Sequence, residues 1–211
     1  MSFINLLSLL LIKINDRYSF LAAIFEHDFN NQENKANLLC VSIHKVIGAG
    51  IILNQQIYHG YRGAAGEIGR MLISSANQTK IEDICSEDAI VERLKSLKNN
   101  NNLERSDLVK LATQGDSDVQ TILREFIRGI AQILVNVSVS LAPEEIYLSS
   151  PLLEELPTLF AKIKACTEKL GLIPRLYLIG NSNYATLLGA SSLIIHHVLQ
   201  LDNYNLKFHY Q

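Results

Sequence analysis

Glu67 stands in a segment, Gly60 to Gly69, that carries four glycines in ten residues. A carboxylate there can accept two hydroxyls at once, and Gly66 and Gly69 let the backbone come close to a ring. The plainer reading is an exposed glutamate in a turn. Asn15-Asp16 precedes an apolar run, where the aspartate is either a helix cap or a base that takes a hydroxyl proton. Spacing alone favours the cap. Arg70 offers hydrogen-bond donors only, so it can meet hydroxyls or pair with an acid but cannot hold a metal. Glu82 opens a helical stretch, where an acid is favoured by the helix dipole. Lys45 sits in a turn, as a phosphate contact or a solvated lysine. The three cysteines, Cys40, Cys85 and Cys166, are far apart and none forms a C-x-x-C pair, so no zinc, redox or disulfide framework follows. His196 and His197 are neighbours on one helix and do not share a face, a poor metal pair.

The elements that must position these residues read as follows. Leu6 to Ile14 is a helix end running into a strand, Leu10 to Ile14, and a helix spans Arg17 to about Phe29. A polar loop covers Asn30 to Lys35. Leu38 to Ile43 and Gly50 to Leu53 are strands joined through Ile47-Gly48-Ala49-Gly50, with a turn at Asn54-Gln55-Gln56 and a return strand from Ile57. A helix starts at Ser86 or Asp88 and ends at the asparagine run from Asn99. A short helix begins at Ser106-Asp107. The longest, Ser117 to Leu141, places Val119, Ile122, Leu123, Phe126, Ile130, Ile133, Leu134 and Val137 on one stripe and stops at Pro143. Strands at Glu145 to Leu148 and Arg175 to Ile179 alternate with helices at Leu152 to Leu170 and Tyr184 to Leu199. A hairpin layer followed by alternating helices and strands implies an α/β domain, a mixed sheet with packed helices.

At 211 residues, 48% hydrophobic and 19% charged, the chain can bury one good core. A net charge of −2 and scattered Lys and Arg supply no positive field for nucleic acid or anionic lipid. The apolar stretch Phe3 to Ile12 is too short to span a bilayer, which takes about 20 residues. It also lacks the flanks of a secretory signal. A reduced cytoplasm is the expected compartment.

Val41 to Met71 contains G-A-G-I-I-L-N and then G-Y-R-G-A-A-G-E-I-G-R. This resembles the ROK family of repressors, open reading frames and kinases, whose pattern is G-A-G-I-I-x-(N/D)-G followed by G-x-x-G-A-A-G-E-I-G-H. Flanking segments agree: Ile14-Asn15-Asp16, Gly115 to Asp118, Leu141 to Ser150 and Leu187 to Leu193. The resemblance covers nearly the whole chain. It implies an actin-like ATPase (ribonuclease H-like) lobe, one sugar-binding unit over 1–211. Residues 1–14 are then the remnant of a preceding lobe or hinge, and the amino-terminal lobe with its D-x-G-G-T phosphate loop is largely missing.

The resemblance assigns sugar contact to Asn15, Asp16 (the base in kinase members), Glu67, Arg70 and Glu82. Arg70 stands where the family has a histidine that also helps to hold a structural zinc. The zinc-binding cysteines are missing between Leu72 and Lys80, so no metal and no cofactor is expected. Kinase members carry G-T-G-I-G where this chain has His44, Lys45, Val46, Ile47 and Gly48, and a glycine pair where it has Ser149-Ser150. Phosphoryl transfer rests almost wholly on positioning and electrostatics, so these losses argue against a kinase. The expected function is the sugar-sensing lobe of a xylose- or N-acetylglucosamine-repressor-type regulator. It would bind a small sugar (hexose, N-acetylhexosamine or xylose), assemble as a homo-oligomer, and contact neither nucleic acid nor membrane through this chain. The alternatives are a fragment of an ATP-dependent sugar kinase, a partner subunit that only dimerises, and an inactive gene remnant with no folded product.

Overall fold

The computed structural model describes residues 18–25, 35–74 and 78–198. Among them a five-stranded sheet runs in the order β3-β2-β1-β6-β7, where β1 is Leu38–Ile43, β2 Ile47–Leu53, β3 Gln56–Ile57, β6 Glu145–Ser149 and β7 Arg175–Leu178. β2 runs antiparallel to both β1 and β3, and β6 and β7 join β1 in parallel. A separate ribbon pairs β4 (Leu72–Ser74) with β5 (Thr79–Lys80). The expected strand at Leu10 to Ile14 lies outside the described residues.

β1 reads Leu-Leu-Cys-Val-Ser-Ile and is buried throughout, as a central strand covered on both faces must be. Its alternation sorts the side chains between two cores. Leu39, Val41 and Ile43 join the larger one, built on α5 (Ser117–Leu141). Leu38 and Cys40 point the other way, against α1 (Tyr18–Phe25), Ile179 and Ala185 of α8 (Ser182–Val198). α5 starts where expected: the Asp116 carboxylate accepts from the backbone N–H of Asp118 and Val119. It ends at Ala142, which takes the left-handed conformation just before Pro143. All eight residues of the expected stripe are buried.

Three readings of the sequence change. β2 begins at Ile47, not Gly50, because Ile43 pairs with Ile47 and Ser42 with Gly48. That leaves only His44, Lys45 and Val46 in the turn. The helix expected from Leu152 to Leu170 is two: α6, Pro151–Glu155, and α7, Pro157–Lys169. Pro157 has no N–H to continue the ladder, and Leu156 before it is pushed to φ −125°, ψ 73°. The β4–β5 ribbon occupies a stretch where no strand is expected. Ser86 rather than Asp88 caps α3 (Glu87–Lys98), accepting from Ala89 N–H at 3.2 Å.

Candidate functional site

A cavity of about 490 Å³ opens against one face of β2, and Glu67, Arg70 and Glu82 all line it. Glycines bring them there. Gly66, at φ +86°, lies so close to β2 that a Cβ would sit inside the Ala49 carbonyl oxygen. In that position Ala49 N–H donates to Gly66 O at 2.7 Å, as does Ile68 N–H. Ile68 is buried and pins the following single turn of 3-10 helix, Ile68–Arg70. The turn therefore carries Glu67 and Arg70 on a backbone bolted to the sheet.

Gly69 repeats the device one turn on. A Cβ there would run into the Ile47 carbonyl and come within 3.0 Å of Glu82 Oε2. Glu82 is the first residue of α2 (Glu82–Cys85), which the ribbon delivers through Ile81 N–H donating to Met71 O at 2.9 Å. The glycine spacing thus places two carboxylates and a guanidinium in one cavity. Asn15 and Asp16 lie outside the described residues.

Three further lining residues carried no signal in the sequence: Tyr58, His59 and Lys80. Lys80 reaches within 3.7 Å of Glu82 Oε1. It is at the end of β5, and a two-residue strand leaves no periodicity to read.

The donor set does not fit the zinc of the family pattern. Arg70 offers only N–H groups, and neither β4 nor β5 holds a cysteine or histidine. Cys85 is turned away, its thiol toward the Phe126 carbonyl at 3.9 Å, and burial pushes it up to about 12.

The turn His44–Val46 is a tight hairpin closed by His44 N–H donating to Val46 O at 3.1 Å. His44 O accepts from Glu87 N–H at 2.8 Å. Glu87 is buried, and its carboxylate accepts from Leu152 N–H at 3.1 Å and Arg105 Nη1 at 3.2 Å. Arg105 also pairs with Glu155 at 2.8 Å. Burial raises the Glu87 carboxyl above its ordinary range, opposed by the Leu152 amide and Arg105. Burial, aided by the Arg105 charge and opposed by Glu154, lowers the His44 imidazole. Glu154 meanwhile accepts from the N–H groups of Asn181 and Ser182 at 3.0 and 2.9 Å. Ser150 is fully buried and caps α6 by accepting from Leu153 N–H.

A sheet of this order with helices on both faces, and a cavity beside its hairpin layer, is a lobe of the actin-like ATPase type. The ROK family pattern matches residues 16–196, and the chain belongs to the ROK family. It is 39% identical over 194 residues to the xylose repressor of Lactiplantibacillus pentosus, covering 89% of this chain and 50% of that protein. The xylose repressor of Staphylococcus xylosus is 35% identical over 199 residues, covering 89% of this chain and 51% of the relative. The chain thus spans about half the length of these curated relatives.

Among solved structures, a ROK family protein from Streptococcus pneumoniae in complex with sucrose superposes with a TM-score of 0.77 at 19% identity, covering 86% of this chain and 65% of that one. A ROK family glucokinase from Streptomyces griseus in complex with glucose and AMPPNP gives 0.73 at 18% identity, over 83% of this chain and 66% of that one. Both likenesses show the fold alone. Among the described residues no helix is long and apolar enough to cross a membrane.

Proposed function

We propose that the chain is the sugar-sensing lobe of a ROK-type transcriptional regulator, acting in the cytoplasm as a homo-oligomer. Nucleic acid is contacted by other parts of the regulator rather than by these residues. The observation that carries this reading is the convergence of Glu67, Arg70 and Glu82 on one cavity. Carboxylates and a guanidinium make strong charge-assisted hydrogen bonds to hydroxyls, and a cavity with few convergent polar groups is the usual form of a small-molecule site. The resemblance to xylose repressors supports a pentose or hexose as the ligand.

The sugar-kinase reading has the fold in its favour, since structural neighbours include a ROK hexokinase from Thermus thermophilus. Against it stands the use already made of backbone N–H groups around the His44–Val46 turn and the starts of α6 and α8. Glu87, Leu152, Asn181 and Ser182 donate to His44 O, the Glu87 carboxylate and the Glu154 carboxylate. A phosphate cradle needs such groups unspent. Thermal melts with D-xylose, D-glucose and N-acetylglucosamine, beside a coupled ATP-turnover assay with the same sugars, test the proposal. Sugar-dependent stabilisation without turnover is expected. Sugar phosphorylation by the pure protein overturns it.

A further inference from the structure

Ser42 and Ser149 occupy adjacent positions on the parallel strands β1 and β6, in register with each other. Ser42 is 3% exposed and Ser149 fully buried, and neither hydroxyl has a hydrogen-bond partner among the described residues. Both lie at the carboxyl ends of parallel strands, where open α/β sheets bind their ligands. Ser42 also lines the cavity that holds Glu67 and Glu82. An unpaired buried hydroxyl is a net cost to a fold. Alanine, nearly the same size, would avoid that cost. Side chains that continue the alternation toward the α1 side, Leu38 and Cys40, are satisfied by packing. Ser42 is the first position along that row where β1 meets the cavity with a polar group.

We propose that Ser42, backed by Ser149, is a specificity-determining contact that hydrogen-bonds one hydroxyl of the sugar, at the floor of the cavity and away from those taken by Glu67 and Glu82. The inference rests on the cavity being a sugar site. A site that leaves such a group unpaired rejects the analogue lacking the matching hydroxyl. Ser42 then sets which hydroxyl pattern the lobe accepts, and Ser149 is its positioning neighbour.

The test compares the full chain with Ser42→Ala and Ser149→Ala. Without sugar, the alanine variants should unfold at the same or higher denaturant concentration, because an unpaired hydroxyl is removed. A clear fall in stability would show that each hydroxyl serves the fold, through an ordered water or otherwise, and overturns the proposal. With sugar, the parent protein is titrated with D-xylose, D-glucose, N-acetylglucosamine and the monodeoxyglucoses. One deoxy position should lose about tenfold in affinity, as for a single hydrogen bond, and Ser42→Ala should erase that penalty. A penalty of equal size in the variant overturns the assignment. Failure of every sugar to bind the parent protein refutes the sugar-site reading itself, and the ligand-free comparison still decides whether the hydroxyls serve the fold.

Discussion

Gly66 and Gly171 share a φ of +86°, yet a Cβ at Gly66 meets the Ala49 carbonyl whereas one at Gly171 meets nothing within 4 Å. Substituting alanine at each separates backbone strain from steric collision. Placing an L-residue in the left-handed region costs roughly 1–2 kcal/mol at either position. Collision with the backbone adds a cost on the order of an overpacked core, about 1–3 kcal/mol, at Gly66 alone. Any gain from a stiffer unfolded chain is common to both variants. Gly66→Ala should therefore lose about 2–5 kcal/mol and Gly171→Ala about 1–2 kcal/mol. The extra loss should come with weaker sugar response, because the turn carrying Glu67 and Arg70 must leave β2. Urea unfolding followed by circular dichroism, with and without D-xylose, measures both. Equal losses at the two glycines would refute the claim that Gly66 bolts the site to the sheet.

Glu67→Gln and Glu82→Gln should each weaken sugar binding about tenfold to a hundredfold, the worth of one charge-assisted hydrogen bond, read by calorimetry. An unchanged affinity in both removes them from the site. His44 is held neutral in the fold, below its ordinary 6.5. The folded chain then binds fewer protons than the unfolded one, so stability is complete above that value and is lost as pH falls toward the lowered one. Replacing His44 with glutamine should flatten this acid-side slope in urea midpoints taken across the window, and an undiminished slope assigns it to other groups.

Much of this lobe is legible in its residues because local rules and burial agree. The α5 stripe, its Asp116 cap and the alternation of helices with strands follow from periodicity and capping alone. The family pattern points to Glu67, Arg70 and Glu82, and the structure brings all three together. Tertiary context hides the rest. Gly48 reads as part of the connection between two strands, yet it is strand, because its register with Ser42 carries the ladder on to Ile43 and Ile47. Lys80 reaches the cavity from a two-residue strand with no periodicity of its own. Glu87 looks like any acid in a first helical turn. Its burial comes from Arg105 and Leu152, which are 18 and 65 residues away along the chain. Ser42 reads as one polar residue in an apolar strand, and only the register with Ser149 gives it a meaning.

The brief helix α6 stops at Glu155 after five residues, and its consecutive acids part company: Glu154 caps α8 while Glu155 reaches back to Arg105. Successive residues on a helix point about 100° apart, so the length of this segment matters as much as its chemistry. Deleting one residue between Pro151 and Glu154 would swing Glu155 onto the bearing that Glu154 now holds and turn Glu154 to that of the buried Leu153. A chain of otherwise identical composition would then leave Arg105 without its Glu155 partner.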